Sequence, residues 1–571
     1  MKKTLILATA LATAAATSVV IIATSASAAS TYYVAPNGSD SAAGTQAAPW
    51  ASIAHAQSVA ASGDIVYFRG GTYAYTKANT ACSSQTARVD AVTLNKNGIR
   101  YWAYPGEKPV FDFAGVKDDC RLKGFDVTAS NLHLKGLEIT GVRQNNTLNA
   151  ESWGIWISGS NNTFEQLNVH HIMGTGLFIK GGGGNLVLNT DSHDNYDTNS
   201  SDGPGENADG FGAHYMTAGT AQNVFRGCRA WWNADDGFDL IDAYAPVLIE
   251  SSWAWLNGYK PGTTTSAGNG NGFKAGGYGG DNDAAAVKHT VRTSVAFNNK
   301  AAGFYANHHP VANDFFNNTS YGNHPDFNML GVDSSGAAVG RGNLRNNVAY
   351  TGTLTSNMSG TSSSSNSWEL GVTLNDAQFQ SVSTSGWDAA RQTDGSLPAL
   401  TSLHPTATSS LVDKGVNVGL PYTGNAPDLG AFEQPSGTAV PSTGRLEAET
   451  APAVCQGTID SDQAGFSGTG FCNGNAAIGA YAQFTVTASA AGTRAIGVRF
   501  ANGHSSGAAR PASLVVNGTT VATVAFGSTG AWTTWSTTSV SVALTAGTNT
   551  IRLVPTTAAG LPNIDYLDLG A

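Results

Sequence analysis

The chain has 571 residues, only 12% of them charged, with 68 glycines and a formal net charge of −10. So much glycine and so little charge argue against helical bundles and for many short strands joined by tight turns. A pI near 5.6 without a basic cluster argues against nucleic acid as a partner, and the length calls for more than one domain.

The N-terminus, "MKKTLILATALATAAATSVVIIATSASAAS", reads as a secretory signal peptide over residues 1–28. Two lysines, an apolar run and Ala26-Ser27-Ala28 are its three parts, with cleavage before Ala29. No later segment is long and apolar enough to span a bilayer, so a secreted, extracellular protein is expected. Five cysteines suit export. The nearest pairs are Cys82 with Cys120 and Cys455 with Cys472, with connectivity left open by the sequence. Cys228, in "VFRGCRAWW", alternates with apolar residues and reads as a core thiol.

Residues 29–434 form the first folded region. "ASIAHAQSVA" near its start suits a short amphipathic helix closing one end. Further on, Gly-aromatic or Gly-aliphatic pairs recur in "WGIWISG", "TGLFIKG", "DGFGAHY", "DGFDLID", "NGFKAGG" and "AGFYANH". Their glycines, Gly154, Gly176, Gly210, Gly237, Gly272 and Gly303, are 22, 34, 27, 35 and 31 residues apart. Between them lie second strands ending in Asn195, Asn233, Asn257 and Asn298, whose amides can bond the same residue one coil along. Variable loops on a common rung predict an all-β, right-handed parallel β-helix. A propeller would need a more even period.

Aligning the rungs brings acids together. The residue before the shared glycine is Asp209 in one coil and Asp236 in the next; two after it come Asp239, then Lys274. Rungs stack about 4.8 Å apart, so Asp209 should neighbour Asp236, with Asp235 adjacent and Lys274 one rung beyond Asp239. The Phe of "GFD" and "GFK" should point inward, and Asp239 and Lys274 outward. Two like charges about 4 Å apart cost roughly 4 kcal/mol at an effective dielectric of 20, and an oxygen-loving Ca²⁺ would remove that cost. No zinc-type Cys or His spacing accompanies the acids. The bland alternative is solvated turn acids with Lys274 as their counter-ion. A lysine beside a divalent cation has a depressed pKa and can act as a general base, while the metal withdraws charge from a substrate carboxylate. That pairing suits proton abstraction from C5 of a uronate followed by β-elimination. Arg292, Lys288 and Lys180 could meet further carboxylates but read first as surface cations.

Residues 435–444, rich in Pro, Gly, Ser and Thr, read as a linker. Residues 445–571 show alternating short strands and turns, the pattern of a β-sandwich.

Taken in order, "YYVAPNGSD", "GDIVYFRGGTY", "ENADGFGAH", "NADDGFDL", "GNGFKAGG" and "APDLGAFE" resemble the pectate lyases of polysaccharide lyase family nine. The resemblance runs from about Tyr32 to Glu433, with "APDLGAFE" similar to that family's C-terminal cap. It implies a pectate or related uronan substrate, Asp209, Asp235, Asp236 and Asp239 as calcium ligands and Lys274 as the base. The last segment resembles carbohydrate-binding modules of families six and thirty-five. That resemblance implies a sugar grip of Tyr481, Trp532 and Asn563 on plant cell-wall polysaccharide. It also implies a structural calcium held by Glu447, Glu449 and Asp565, with Asp568 a rival to Asp565. Trp535 should then be core, Trp532 exposed, and a Cys455–Cys472 bridge would staple the loop beside Tyr481. A polygalacturonase-type hydrolase and a non-catalytic glycan binder are the alternatives. A hydrolase needs an acid–base carboxylate pair around water, and a binder has no use for Lys274. A monomer is the default.

Overall fold

The computed structural model describes residues 29–569 apart from 78–86, 117–120, 145–149, 280–284, 435–444 and positions 373, 421, 423, 451, 489, 490 and 546. The expected signal peptide, the linker and the Cys82–Cys120 pair lie outside the described residues.

Strands from Thr31–Val34 to Ser362–Ser364 wind into a solenoid of three parallel sheets, one of twelve strands and two of ten. One ten-stranded sheet carries the site. Its strands are β1 (Arg88–Leu94), β2 (Arg121–Val127), β3 (Ser152–Ile157), β4 (Gly174–Lys180), β5 (Phe211–His214), β6 (Phe238–Asp239), β7 (Phe273–Lys274), β8 (Phe304–Tyr305), β9 (Phe327–Asn328) and β10 (Thr355–Ser356). These are the Gly-aromatic rungs of the sequence, extended at both ends.

Inside, Phe211, Phe238, Phe273, Phe304 and Phe327 stack as one column with ring centroids 4.9, 4.9, 4.9 and 4.8 Å apart. All five are fully buried, each worth about 1.5–3 kcal/mol of transfer free energy. Beside the column runs an amide ladder. Asn195 Nδ2 donates to Asn233 Oδ1 at 2.8 Å, Asn233 to Asn257 at 3.0 Å, Asn257 to Asn299 at 2.9 Å and Asn299 to Asn323 at 2.9 Å. The expected Asn298 is not in this ladder. It takes the left-handed turn, φ +52°, and hands the stacking position to Asn299. The ladder explains the repeated glycine. A Cβ on Gly237 would lie 2.6 Å from the Gly272 carbonyl oxygen and 2.9 Å from Asn257 Nδ2, so only glycine lets the coils close here.

The N-terminal end is closed by a helix, Ile53–Val59, whose N-cap Ser52 accepts from His55 N–H at 3.0 Å and whose Ile53 and Ala56 are buried. After Ser364 the chain packs along the outside of the rod. Trp387 lies edge-on to Trp253 at 4.4 Å, and Arg229 and Arg391 share buried Asp191, each at 2.6 Å. "APDLGAFE" runs beside the last coils, Gly430 N–H donating to Asn346 O at 2.7 Å.

From Arg445 onward, antiparallel sheets of six and five strands face each other over a core that includes Phe484, Val498, Leu514 and Ile551. Cys455 and Cys472 are bridged, with Cα atoms 5.6 Å apart, and Gln456 N–H donates to Tyr481 O at 2.9 Å, so the staple does sit beside Tyr481. Cys228 is fully buried, its thiol pushed up to about 12 by burial. Trp535 departs from expectation. It is half-buried rather than core, its Nε1 donating to Ala464 O at 3.0 Å and its ring under the Arg499 guanidinium. The strand it precedes, Ser536–Leu544, lies at the edge of its sheet.

Candidate active site

Register puts the predicted residues together. Phe211 pairs with Phe238, and Gly212 with Asp239; Phe238 pairs with Phe273, and Asp239 with Lys274. One step before these strands, Gly210 N–H donates to Asp236 O at 3.0 Å, so Asp209 stands over Asp236. Oxygens of Asp209, Asp235 and Asp236 approach within 4.8 Å of one another, and a second such group joins Asp209 and Asp239 with His214.

Each carboxylate accepts at least one hydrogen bond from the protein. Asp209 accepts from Asp236 N–H at 3.3 Å and Thr175 Oγ1 at 3.2 Å. Asp235 Oδ1 accepts from Asn269 N–H at 2.7 Å. Asp236 Oδ1 accepts from both Asn271 N–H at 2.6 Å and its Nδ2 at 2.9 Å, and Asp239 Oδ1 from Ile241 N–H at 2.8 Å. Lys274 Nζ then reaches Asp239 Oδ2 at 2.9 Å and Asp236 Oδ2 at 3.1 Å. The four acids are at most 4% exposed.

Such crowding shows in the protonation. Burial, then the neighbouring carboxylates, holds Asp209 and Asp235 well above the usual range. Burial also raises Asp236. Asp239 is lowered despite burial, by Lys274 and His214. For Lys274, burial is outweighed by Asp239 and Asp236, which hold it firmly as an ammonium. A depressed lysine was the expectation for a site with its cation; the bare carboxylates do the opposite. One ammonium does not neutralise four acids, and buried Asp236 Oδ2 has only the Lys274 ammonium, at 3.1 Å, beside it. The all-oxygen donor set therefore fits a hard divalent cation.

The acids open into a cleft of about 370 Å³ along the outer face of β1–β7. Lys180, read first as a surface cation, lines it. Arg292 and Lys288 do not; they pair with Glu250 at 2.5 Å and Asp314 at 2.7 Å on the twelve-stranded sheet. Sequence reasoning missed His214, Asn269, Asn271 and Arg88. His214, neutral because burial pulls it down to about 4, lies between Phe178 and Asp239. The alternation Phe211, Gly212, Ala213, His214 was the available signal.

In the sandwich, Ser467 Oγ bridges Glu447 Oε2 at 2.5 Å and Asp565 Oδ1 at 3.3 Å, while Thr469 N–H donates to Glu449 Oε1 at 2.8 Å. Glu449 Oε2 is buried without a partner. Asp565 is fully buried and paired with Arg499, whereas Asp568 is half-buried opposite Arg445 in the strand register. Trp532, expected exposed, is half-buried and lies 5.2 Å from Arg510; Tyr481 lies 3.9 Å from Arg552, and Asn563 pairs with Ala501.

Comparison with known proteins bears on the family and the fold. Residues 32–347 match the family described as "Pel9A-like, right handed beta helix region". The chain belongs to the Pel9A-like pectate lyases. It is a polysaccharide lyase, and residues 447–571 match the family-six carbohydrate-binding modules. Pectate lyase L of Dickeya chrysanthemi is 36% identical over 416 residues, covering 71% of this chain and 90% of that protein. The crystal structure of pectate lyase Pel9A superposes with a TM-score of 0.61 at 35% identity, covering 72% of this chain and 97% of that one. A structure named rhamnogalacturonan lyase gives 0.62 at 35%, covering 66% and 96%. No helix among the described residues is long and apolar enough to cross a membrane.

Proposed function

We propose that the protein is a secreted, calcium-dependent pectate lyase that cleaves polygalacturonate by β-elimination, with Lys274 as the base. The observation that carries this reading is a single amine, Lys274 Nζ, within 3.1 Å of two of four buried acids at the floor of an open cleft. A Ca²⁺ held by Asp209, Asp235, Asp236 and Asp239 would supply positive charge that acidifies the C5 proton of a uronate bound there and lowers the hold of Asp236 and Asp239 on the lysine proton. Lys274 takes that proton onto Nζ. The electrons left on C5 form the C4–C5 double bond as the C4 oxygen leaves with the departing chain. Asn271 and Asn269 keep Asp236 and Asp235 oriented, and neutral His214 adds no competing charge.

The chain is read as two modules, 29–434 and 445–571, joined by 435–444, after removal of residues 1–28. In the second, Tyr481, Trp532 and Asn563 hold cell-wall polysaccharide, aromatic faces stacking on sugar rings. Glu447, Glu449 and Asp565 around the Ser467–Thr469 turn suit a structural calcium better than a set with Asp568, because the Ser467 hydroxyl bonds both Glu447 and Asp565.

The deciding assay follows ultraviolet absorbance of unsaturated product on polygalacturonate, with and without chelator. Rhamnogalacturonan serves as second substrate, since a structural relative of equal identity carries that name. A calcium-dependent rise on polygalacturonate supports the proposal. Reducing sugar without absorbance would replace it with hydrolysis.

A further inference from the structure

The cleft continues on both sides of the acids, and its halves differ in charge. On the N-terminal side, the outer face of β1–β4 carries four cations, Arg88, Arg121, Lys123 and Lys180. Two have carboxylate partners. Arg121 is paired with Glu151, and Lys123 lies 2.9 Å from Asp126 and 3.2 Å from Asp90. Arg88 and Lys180 have no carboxylate within ion-pair distance among the described residues. They rest instead on aromatic faces: Arg88 lies 5.6 and 5.1 Å from the Trp153 and Trp156 rings, and Lys180 Nζ lies 3.0 Å from the centre of Tyr215. The two tryptophans are packed edge to face at 4.5 Å and at most 7% exposed, a rigid bed that positions a guanidinium without neutralising it.

Arg88 and Lys180 both line the cleft that holds Lys274. Burial, and then Arg88, pull Lys180 down to about 8 against the opposing pull of Asp242. Repulsion between unpaired cations persists in a fold only when it is cheap or when an anion arrives to relieve it. Elsewhere on this face cations sit in direct contact with carboxylates; among the described residues, Arg88 and Lys180 do not, although Asp242 in the same cleft acts on Lys180 from a distance.

On the C-terminal side, a hollow of about 400 Å³ shares Ile241 with the cleft and is lined by Gly277, Tyr278, Asn307 and His308 among others. None of its described lining residues is Lys, Arg, Asp or Glu. At about 4.8 Å per rung, β1 to β7 spans roughly 29 Å, room for several sugar units beyond the one that reacts.

We propose that Arg88 and Lys180 read the free carboxylates of uronate units on the N-terminal side of the scissile linkage, while the Asn307–His308 side accepts methyl-esterified or neutral units. This rests on the uronan reading of the Lys274 site. A guanidinium held on its face by an indole keeps its N–H edge free for two parallel bonds to a carboxylate, and a methyl ester cannot replace that ionic acceptor.

The test has two arms. In steady-state kinetics on polygalacturonate with calcium, Arg88→Gln and Lys180→Met should each raise KM roughly tenfold, the size of one charge-assisted hydrogen bond, with kcat little changed and Arg88→Lys recovering part of the loss. In the second arm, partially methyl-esterified pectin is digested and the fragments sequenced by mass spectrometry. Esters should be depleted on one side of the cleaved bonds only, and the Arg88→Gln/Lys180→Met double variant should lose that asymmetry. Wild-type turnover with unchanged KM in both single variants, or equal ester depletion on both sides, overturns the subsite and leaves the role of Lys274 standing. No wild-type turnover on polygalacturonate overturns the uronan reading beneath it.

Discussion

Replacing Lys274 separates two jobs that the structure gives one side chain. Its Nζ, 2.9 Å from Asp239 and 3.1 Å from Asp236, is the proposed base and also, among the described residues, the one ammonium contacting a patch of four buried acids. Removing a general base costs about 10²–10⁴ in rate. His214, neutral and 3.9 Å from Asp239, stays in place in this variant. Lys274→Ala should therefore lower kcat roughly 10³-fold, with KM little altered because the substrate contacts lie elsewhere. The same change strands buried carboxylates, a loss of about 3–5 kcal/mol in chelator that calcium should largely reverse. Lys274→Arg divides the roles: a guanidinium keeps the charge but does not deprotonate in proteins. It should melt like the wild type in chelator and remain inactive. The measurements are initial rates of ultraviolet absorbance with calcium, and melting curves with and without chelator. Retention of more than about 1% of kcat by Lys274→Ala, or brisk turnover by Lys274→Arg, would refute the base assignment.

Other consequences are equally direct. Asp209 and Asp235 are held above their ordinary pKa, so the native state binds more protons than the unfolded chain, and stability falls as pH rises through and beyond about 4. Calcium should cancel that slope; the gap between melting temperatures in calcium and in chelator should widen from roughly pH 4 to 7, and a constant gap would contradict it. Asn257→Ala removes a fully buried amide that receives Asn233 and donates to Asn299 and Ala230 O. It should cost at least about 3 kcal/mol by urea denaturation, whereas Asn298→Ala, off the ladder, should lose only about 1–2 kcal/mol of left-handed backbone preference. Lys180 is poised to lose its charge as pH rises through about 8. KM for polygalacturonate should rise over that range in the wild type and stay flatter in Lys180→Arg.

The glycine-aromatic repeat made the solenoid legible because Gly210, Gly237 and Gly272 each sit where a Cβ would strike the next coil. The same register carried Asp209, Asp236, Asp239 and Lys274 to one place, since period-two alternation sorts side chains without knowledge of the loops. Where local sequence offered two adjacent candidates, as with Asn298 and Asn299, alternation alone did not separate the turn residue from the stacked one. Asn269 and Asn271 act largely through backbone N–H groups in the turn before β7, which no side-chain pattern records. Arg88 reaches the cleft from a coil whose register with Lys180 depends on three intervening loops of unlike length. Trp535 was misjudged because a strand pattern shows which face a ring takes but not how much lies above it.

The carboxylates of the cleft and their lysine come from coils that are neighbours only after winding: Asp209 on one, Asp235, Asp236 and Asp239 on the next, Lys274 on a third. An ion seated there would act as a rivet through adjacent turns of a spring. Local unwinding between residues 209 and 274 would have to eject it first. The middle of the rod should then be its slowest part to fray, with protease nicking and amide exchange confined to the ends while calcium is present.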